Sequence, residues 1–504
     1  MKFGGLVLLG CLVAASVNCD TLSVSDDEGS NGGAPPGSGT PGDNTGDGGP
    51  GPTTVSGSAA GDVGITAVEA KPLPRGRATS LKVTIKRTAP FAGAVAVGLA
   101  NPPAGLTSEP LTIAPGTDVG DLVLTGAPTL AIGKLPIVVE ATAVDTKRKA
   151  TFPLDLTING TPGELDASLV LQGTFADKSE GEIAVLPDGR FFTAGAGGPA
   201  GSAISLYSAN GQVETSFSED GWARFGVSAS QIVVQGNGLL VGGRGRNLQP
   251  PMFLAYLRRV LMNGEADPAW NTFQSWNGAI TGFSLAPNGK LAVLARPDPG
   301  SGWNVFWLLS TGALDTSVNG EAKTTDTTPS VLTRGVYDGT HLYAVGDAQL
   351  VRLSATGGAL DSGFGTSGRL TFPGAATLTS IASDSLGRVL VGGMAGGGVY
   401  LGRSDGGKVD TTFAVSGYAV NAAKGGGAIT QQPDKKILQA ATIDAGGVDR
   451  CVVLRYLEDG KLDPSFGNAG VAAPAVDGCV AGEIGLQPDG KILVAGPKVI
   501  RLWP

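Results

Sequence analysis

Leu462 to Gly496 reads LDPSFGNAGVAAPAVDGCVAGEIGLQPDGKILVAG, and this stretch decides the fold. Asp489-Gly490 stands between two apolar runs, EIGLQ and KILVAG. Asp-Gly in that position is the strongest short-range hairpin signal, because both residues tolerate the positive φ of a type I′ turn. Along KILVAG, Ile492 and Val494 would face one way and Leu493 and Ala495 the other. Both faces are therefore apolar and both must be covered, so the sheet expects to pack between sheets like itself.

The pattern recurs. The acid of LDxSF falls at Asp166, Glu214, Asp267, Asp315, Asp361, Asp410 and Asp463, at spacings of 48, 53, 48, 46, 49 and 53 residues. The aromatic or apolar partner falls at Leu169, Phe217, Trp270, Val318, Phe364, Phe413 and Phe466. The QPDGK element keeps its glycine at Gly189, Gly238, Gly289, Gly339, Gly387 and Gly490, with Lys435 in that place in the sixth copy. Two elements in one order and one period make an internal repeat. Each unit holds four strand-like runs, and a four-stranded sheet buried on both faces by its own kind is a propeller blade. The acid is expected to accept backbone amides in a turn, and the aromatic to plug the gap between neighbouring blades.

LDPSFGNAG followed by GLQPDGKILVAG resembles the delta-60 repeat family, in which LDxSFG and QPDGKIxVAG elements alternate in propeller-like domains of exported bacterial proteins. The resemblance covers about 163–504 and implies a β-propeller. It implies no established activity and carries no catalytic residue. Seven units predict seven blades. Either repeat and blade share boundaries and no strand is exchanged between the ends, or, as protection of the sheet edges favours, they are offset and the first strands complete the last blade; in both cases Trp503 would pack at the seam.

With 81 Gly and 32 Pro in 504 residues, long helices are disfavoured and many short strands are expected. The expected fold class is all-β: an Ig-like β-sandwich followed by a seven-bladed β-propeller. A net charge of -8 without a basic field argues against nucleic acid as a partner. Four cysteines without CxxC spacing, and no D-x-D-x-D-G loop, point to no metal site and no cofactor.

Phe3 to Val17 is an apolar run of signal-peptide length, and 20–60 is an acidic Gly/Pro/Ser-rich tether. The start resembles that of a bacterial lipoprotein, which implies a signal peptide over 1–19 and lipidation of Cys19, despite Asn18 where that pattern wants a small residue. The alternative is an ordinary secretory signal cleaved near residues 14–18. Membrane contact would be through the N-terminal lipid only, at the cell envelope or outside the cell. Residues 61–160 carry seven short strand-like runs, with Leu81, Val83 and Ile85 alternating with Lys82, Thr84 and Lys86. Their phrasing resembles the Ig-like domains of bacterial surface proteins. The propeller then occupies 161–504.

Function is less marked. The chain's one histidine, His341, stands beside a turn with no GxSxG elbow, which disfavours a Ser-His-Asp mechanism. Trp222, Trp276, Trp303 and Trp307 crowd the second and third copies near Arg244, Arg246, Arg258 and Arg259, and form a candidate patch for a glycan or protein ligand. Cys451 and Cys479 sit in adjacent copies and are expected either to form a disulfide or to be two buried thiols. The expectation is a binding or structural scaffold. The alternative is a polysaccharide-active hydrolase using carboxylates at the propeller mouth.

Overall fold

The computed structural model describes residues 62–171, 181–196, 202–225, 227–246, 253–271, 273–276, 278–297, 300–328 and 330–504. Cys19 and the leader lie outside the described residues. The described part is all strand and turn, without a helix, and divides at Thr161/Pro162 into two compact units.

The first unit holds two sheets. One runs in the order Val63–Ala70, Ala78–Arg87, Val119–Gly126, Leu106–Ser108; the other runs Leu73–Pro74, Lys149–Asn159, Gly133–Ala143, Val95–Leu99, Leu111–Ile113. All pairings are antiparallel except that of Leu73–Pro74 with Lys149–Asn159. Leu81, Val83 and Ile85 point into a single core with Val95, Leu122, Val139 and Phe152, while Lys82 and Lys86 are exposed. The alternation read from the sequence is thus the alternation of core and solvent.

The second unit holds seven antiparallel sheets among its described residues, over 182–225, 227–276, 278–326, 334–371, 375–421, 425–472 and 484–502. Their inner strands are Glu182–Val185, Val227–Gln235, Gly278–Leu285, Arg334–Tyr337, Ala375–Ser383, Gly425–Gln431 and Ile484–Leu486. Each inner strand packs beside the next, and the seventh packs beside the first, so the sheets form a closed ring.

The hairpin turns of the QPDGK element are not type I′. In the copy 487–491, the Gly490 amide donates to the Gln487 carbonyl, the Gln487 amide donates to that of Lys491, and the Lys491 amide donates to Asp489 Oδ1 at 3.1 Å. Only Gly490, at φ +85°, is left-handed there. Pro488 explains this: its ring fixes a negative φ at the first corner, which suits a type I turn closed by a left-handed residue. Lys435 takes the same role at φ +70°. In the second copy the turn is Gly236-Asn237, and Gly238, the expected turn glycine, opens the following strand.

The LDxSF element lies between the third and fourth strands of a sheet. Its aromatic is buried, as at Phe217, Phe364, Phe413 and Phe466, and packs beneath a turn of the following sheet. At Gly460, φ +84°, a Cβ would lie 2.7 Å from the Phe413 ring, so the close fit of one sheet on the next requires glycine there. Leu169, from the first copy, packs in this way against Gly211 of the first sheet.

The ends therefore interlock. The Asp166 amide donates to the Arg501 carbonyl, Gly163 to Trp503 and Trp503 to Glu164, and Leu165 bridges Leu502. The first LDxSF element serves the seventh sheet, and Trp503 is buried at the seam under the Lys491 ammonium, 4.6 Å from its ring.

Cys451 and Cys479, both buried, are joined in a disulfide across 28 residues, which ties the third strand of sheet six to the crossing into sheet seven. Replacing both by Ala is expected to cost about 3 kcal/mol, from the loop that the bond removes from the unfolded chain. A denaturation midpoint equal to wild type under non-reducing conditions would refute this.

Candidate functional site

Two sets of ionisable groups stand out, one in the LDxSF turns and one on the ring's axis.

The LDxSF acids are anchored twice. Asp463 Oδ1 accepts the Ser465 amide at 2.9 Å and its hydroxyl at 2.7 Å, while Oδ2 accepts Arg455 Nε at 2.9 Å. The Arg455 guanidinium also lies 4.4 Å from the Phe466 ring centroid, a cation–π contact. Asp166, Asp267, Asp315, Asp361 and Asp410 accept the amide two residues on in the same way. Their cations are Arg501, Arg259, Lys290, Arg352 and Arg403.

The arginine position has a fixed register, since its carbonyl accepts the amide of the acid: Arg259 with Asp267, Arg352 with Asp361, Arg403 with Asp410, Arg455 with Asp463 and Arg501 with Asp166. In the third sheet Trp307 holds that position, and Lys290 from the hairpin turn reaches Asp315 instead, at 2.7 Å. In the first sheet Leu206 holds it opposite Glu214. Burial alone would raise the Asp463 carboxyl, but the Ser465 hydroxyl and amide, then Arg455 and Lys436, outweigh it and hold it at about 2. The Asp166 and Asp410 carboxyls are lowered by the same balance. These acids are employed in the turns.

On the axis, the inner strands bring Glu182, Gln231, Arg334, Ser380 and Glu483 to one cavity of about 170 Å³. The register of the inner strands explains the lining. Each of several carries a β-bulge, at Ser230 and Thr281 for example, which places two residues opposite one and turns a hydroxyl sideways. Ser230 Oγ donates to Ile280 O at 2.8 Å and Thr281 Oγ1 to Leu332 O at 2.6 Å, each stitching its sheet to the next.

Arg334, from the fourth sheet, reaches across the axis. It donates to Glu182 Oε1 at 2.7 Å, to Ser230 O at 3.2 Å and to Thr281 O at 3.0 Å, so one guanidinium joins sheets one to four. Glu483 Oε2 of the seventh sheet lies 3.9 Å from it. Glu483 keeps 27 % of its side-chain area open and lines this cavity. Its poor hydration pushes the carboxyl up, against the opposing pull of Arg334.

A raised folded-state value means that the folded ring binds a proton more readily than the unfolded chain. From the raised value down to the ordinary 4.5, acidification therefore stabilises the ring through Glu483. Glu483→Gln is expected to raise the melting temperature at neutral pH and to flatten the melting-temperature profile over that window. A variant that melts below wild type at neutral pH would contradict it.

Trp303 and Trp307, two of the four tryptophans of the candidate patch, are not on the surface. Trp303 and Trp307 are each 1 % exposed, on the third strand of sheet three, where both faces are covered. Trp307 Nε1 donates to Thr324 Oγ1 at 3.1 Å and its ring meets Tyr337 edge-on. The third strand packs against neighbouring sheets on both sides, so an indole there fills the core. Trp222 is half-buried, edge-on to Tyr207. Trp276 ends the strand Phe273–Trp276, and its side chain lies outside the described residues. Arg259 is used by Asp267, Gln235 and Asn237, and Arg258 lies over the Tyr256 ring.

His341 starts the strand His341–Gly346, with Nδ1 3.1 Å from Thr340 Oγ1 and Nε2 3.5 Å from Asp361, itself bonded to Arg352. The axial set was missed in the sequence because Glu182, Arg334 and Glu483 belong to no motif and lie up to 301 residues apart. The arginines were legible: one stands seven to nine residues before Asp267, Asp361, Asp410 and Asp463.

A family model described as a domain of unknown function (DUF5122) beta-propeller matches residues 432–466. The matched segment runs from the hairpin turn of sheet six through Phe466, and so holds the turn, the two strands Ile437–Asp444 and Asp449–Tyr456, and the LDxSF element. No curated protein matches the chain. The match and the all-strand architecture agree on a β-propeller-like protein.

Proposed function

We propose that the chain is an exported cell-envelope protein, anchored through lipid on Cys19, whose 62–161 unit is an Ig-like stalk. Its 162–504 unit is a seven-bladed propeller of delta-60-type repeats acting as a binding or structural scaffold. The observation that carries this reading is the use made of the repeat's ionisable residues: six aspartates of LDxSF are held by a turn amide and a cation each, so the motif builds the ring. The seven sheets in cyclic contact support the blade count, and the two sheets around one core support the sandwich. The ligand class is a protein or glycan met on the outer surface.

The hydrolase alternative gains two converging carboxylates, Glu182 and Glu483, but both face Arg334 in a cavity of about 170 Å³, too small to admit a polysaccharide. Two experiments test the proposal. Membrane association of the wild type should be lost in Cys19→Ala, and a variant still in the membrane fraction rejects the anchor. The full chain screened against envelope glycans and proteins should bind one class saturably without cleaving it; cleavage products would reverse the reading in favour of the hydrolase.

A further inference from the structure

The axial cavity is drawn from one register position of the repeat. Glu182 faces Ala194 of FFTA, Gln231 faces Gly242 of LLVG, Arg334 faces Val345 of LYAV and Ser380 faces Gly392 of VLVG, in each case the fourth residue of the second strand's apolar run. The Glu483 carbonyl accepts the amide of Ala495, the fourth residue of ILVA. Gly282 holds the position in sheet three, opposite Leu294, and Ala428 holds it in sheet six, just before Ile429. Sheets that share a turn and a buried aromatic thus differ where they meet the axis. Two small residues leave space there, and five polar ones line it.

Gln231 and Ser380 are both held by their oxygens: Gln231 Oε1 accepts the Phe283 amide at 2.7 Å and Ser380 Oγ the Ile429 amide at 3.0 Å. The donors they bring to the cavity are therefore the Gln231 NH2 and the Ser380 hydroxyl proton. Glu483, from sheet seven, brings an acceptor, since its carboxylate takes the Ile484 amide at 3.3 Å and stands 3.9 Å from Arg334. A cation meets Arg334 here and an anion meets Glu182 and Glu483, and no three groups among the described residues are placed to hold a metal. The lining instead suits a neutral molecule whose groups both donate and accept, as hydroxyls do. At about 170 Å³ the cavity is smaller than the ~300 Å³ of pockets for drug-sized ligands, which leaves room for about one ring.

We infer that the axial cavity binds a neutral, hexose-sized polyol, with hydroxyls donating to Glu483 and accepting from Gln231 and Ser380. This inference goes beyond the scaffold reading and does not depend on it, because the site lies on the axis and not on the outer surface.

The test is a saturation-transfer NMR titration of the full chain at mildly alkaline pH with glucose, galactose and myo-inositol, beside cyclohexanol and glucuronate. Saturable binding of at least one of the three neutral polyols is expected, with neither control bound as tightly. Its affinity should fall about tenfold in Glu483→Gln, the worth of one hydrogen bond to a charged acceptor. It should fall likewise for the wild type in acid, where Glu483 takes up a proton, so the result does not rest on the variant's folding. No binding of any of the three, a control bound as tightly as the best of them, or an affinity unchanged in Glu483→Gln or in acid would each overturn the inference. The surface ligand of the scaffold reading should bind Glu483→Gln as it binds wild type, which separates failure of one proposal from failure of the other.

Discussion

Arg334→Met lowers the stability of the ring by about 3–5 kcal/mol, the cost of leaving a buried charge without its partner. Glu182 is 7 % exposed in its side chain and is ion-paired with Arg334 at 2.7 Å. The same guanidinium satisfies carbonyls of Ser230 and Thr281, so its removal also leaves two inner strands without a donor at the axis. Methionine fills similar space without the charge, and cavity formation is kept small. The measurement is the urea midpoint of the full chain. Adding Glu182→Gln to Arg334→Met should recover part of the loss, since the stranded carboxylate is then gone. The loss should also shrink in acid, where the stranded carboxylates take up protons. An Arg334→Met midpoint within 1 kcal/mol of wild type would show that the axial pair is a solvated one and would remove the central role given to it here.

Asp166→Asn costs a similar amount, about 3–5 kcal/mol, and does so at the seam. Asp166 and Arg501 are 2 % and 1 % exposed in their side chains and 2.8 Å apart, although 335 residues separate them in the chain. Arg501 also donates to Ser168 Oγ and Gln487 Oε1, and Gln487 Nε2 donates to Gly189 O of the first sheet, so the pair sits within a network that joins the last sheet to the first. Removing the charge of Asp166 leaves Arg501 buried with only neutral acceptors.

The comparison that isolates ring closure is Asp463→Asn, which removes the equivalent acid inside the ring. Both variants should unfold at lower urea. Only Asp166→Asn should speed hydrogen exchange of the amides that cross the seam, those of Gly163, Asp166 and Trp503. Equal exchange at the seam in the two variants would mean that closure does not depend on this pair. Both effects fade in strong acid. The carboxyls of Asp166 and Asp463 are lowered in the folded state, so their contribution is present above the ordinary carboxylate value near 3.8 and is lost as pH falls through the lowered one, about 2 for Asp463.

The sequence was informative wherever a residue's role is local or repeated. Asp489-Gly490 turns a hairpin, Asp463 caps the turn that follows its own strand, and Phe466 is buried between sheets; each could be read because the same kind of contact recurs in most copies. The turn type was misread because Pro488 was left out of the geometry. Trp303 and Trp307 were misread for a related reason: Trp307 occupies the register position of the arginine that pairs with the LDxSF acid, and a position inside a doubly covered strand turns an indole inward whatever its neighbours in sequence.

What the sequence by itself determined is the repeat, its strands and the acids and aromatics that join one unit to the next, because these interactions are made within about one period and recur. What only the tertiary structure decided is which residues meet at the axis and at the seam. Glu182, Arg334 and Glu483 come from sheets one, four and seven, and Asp166 meets Arg501 only when the ring has closed. Neither meeting has a spacing to betray it, since contact across a ring depends on how many sheets it holds and how far each is turned from the next.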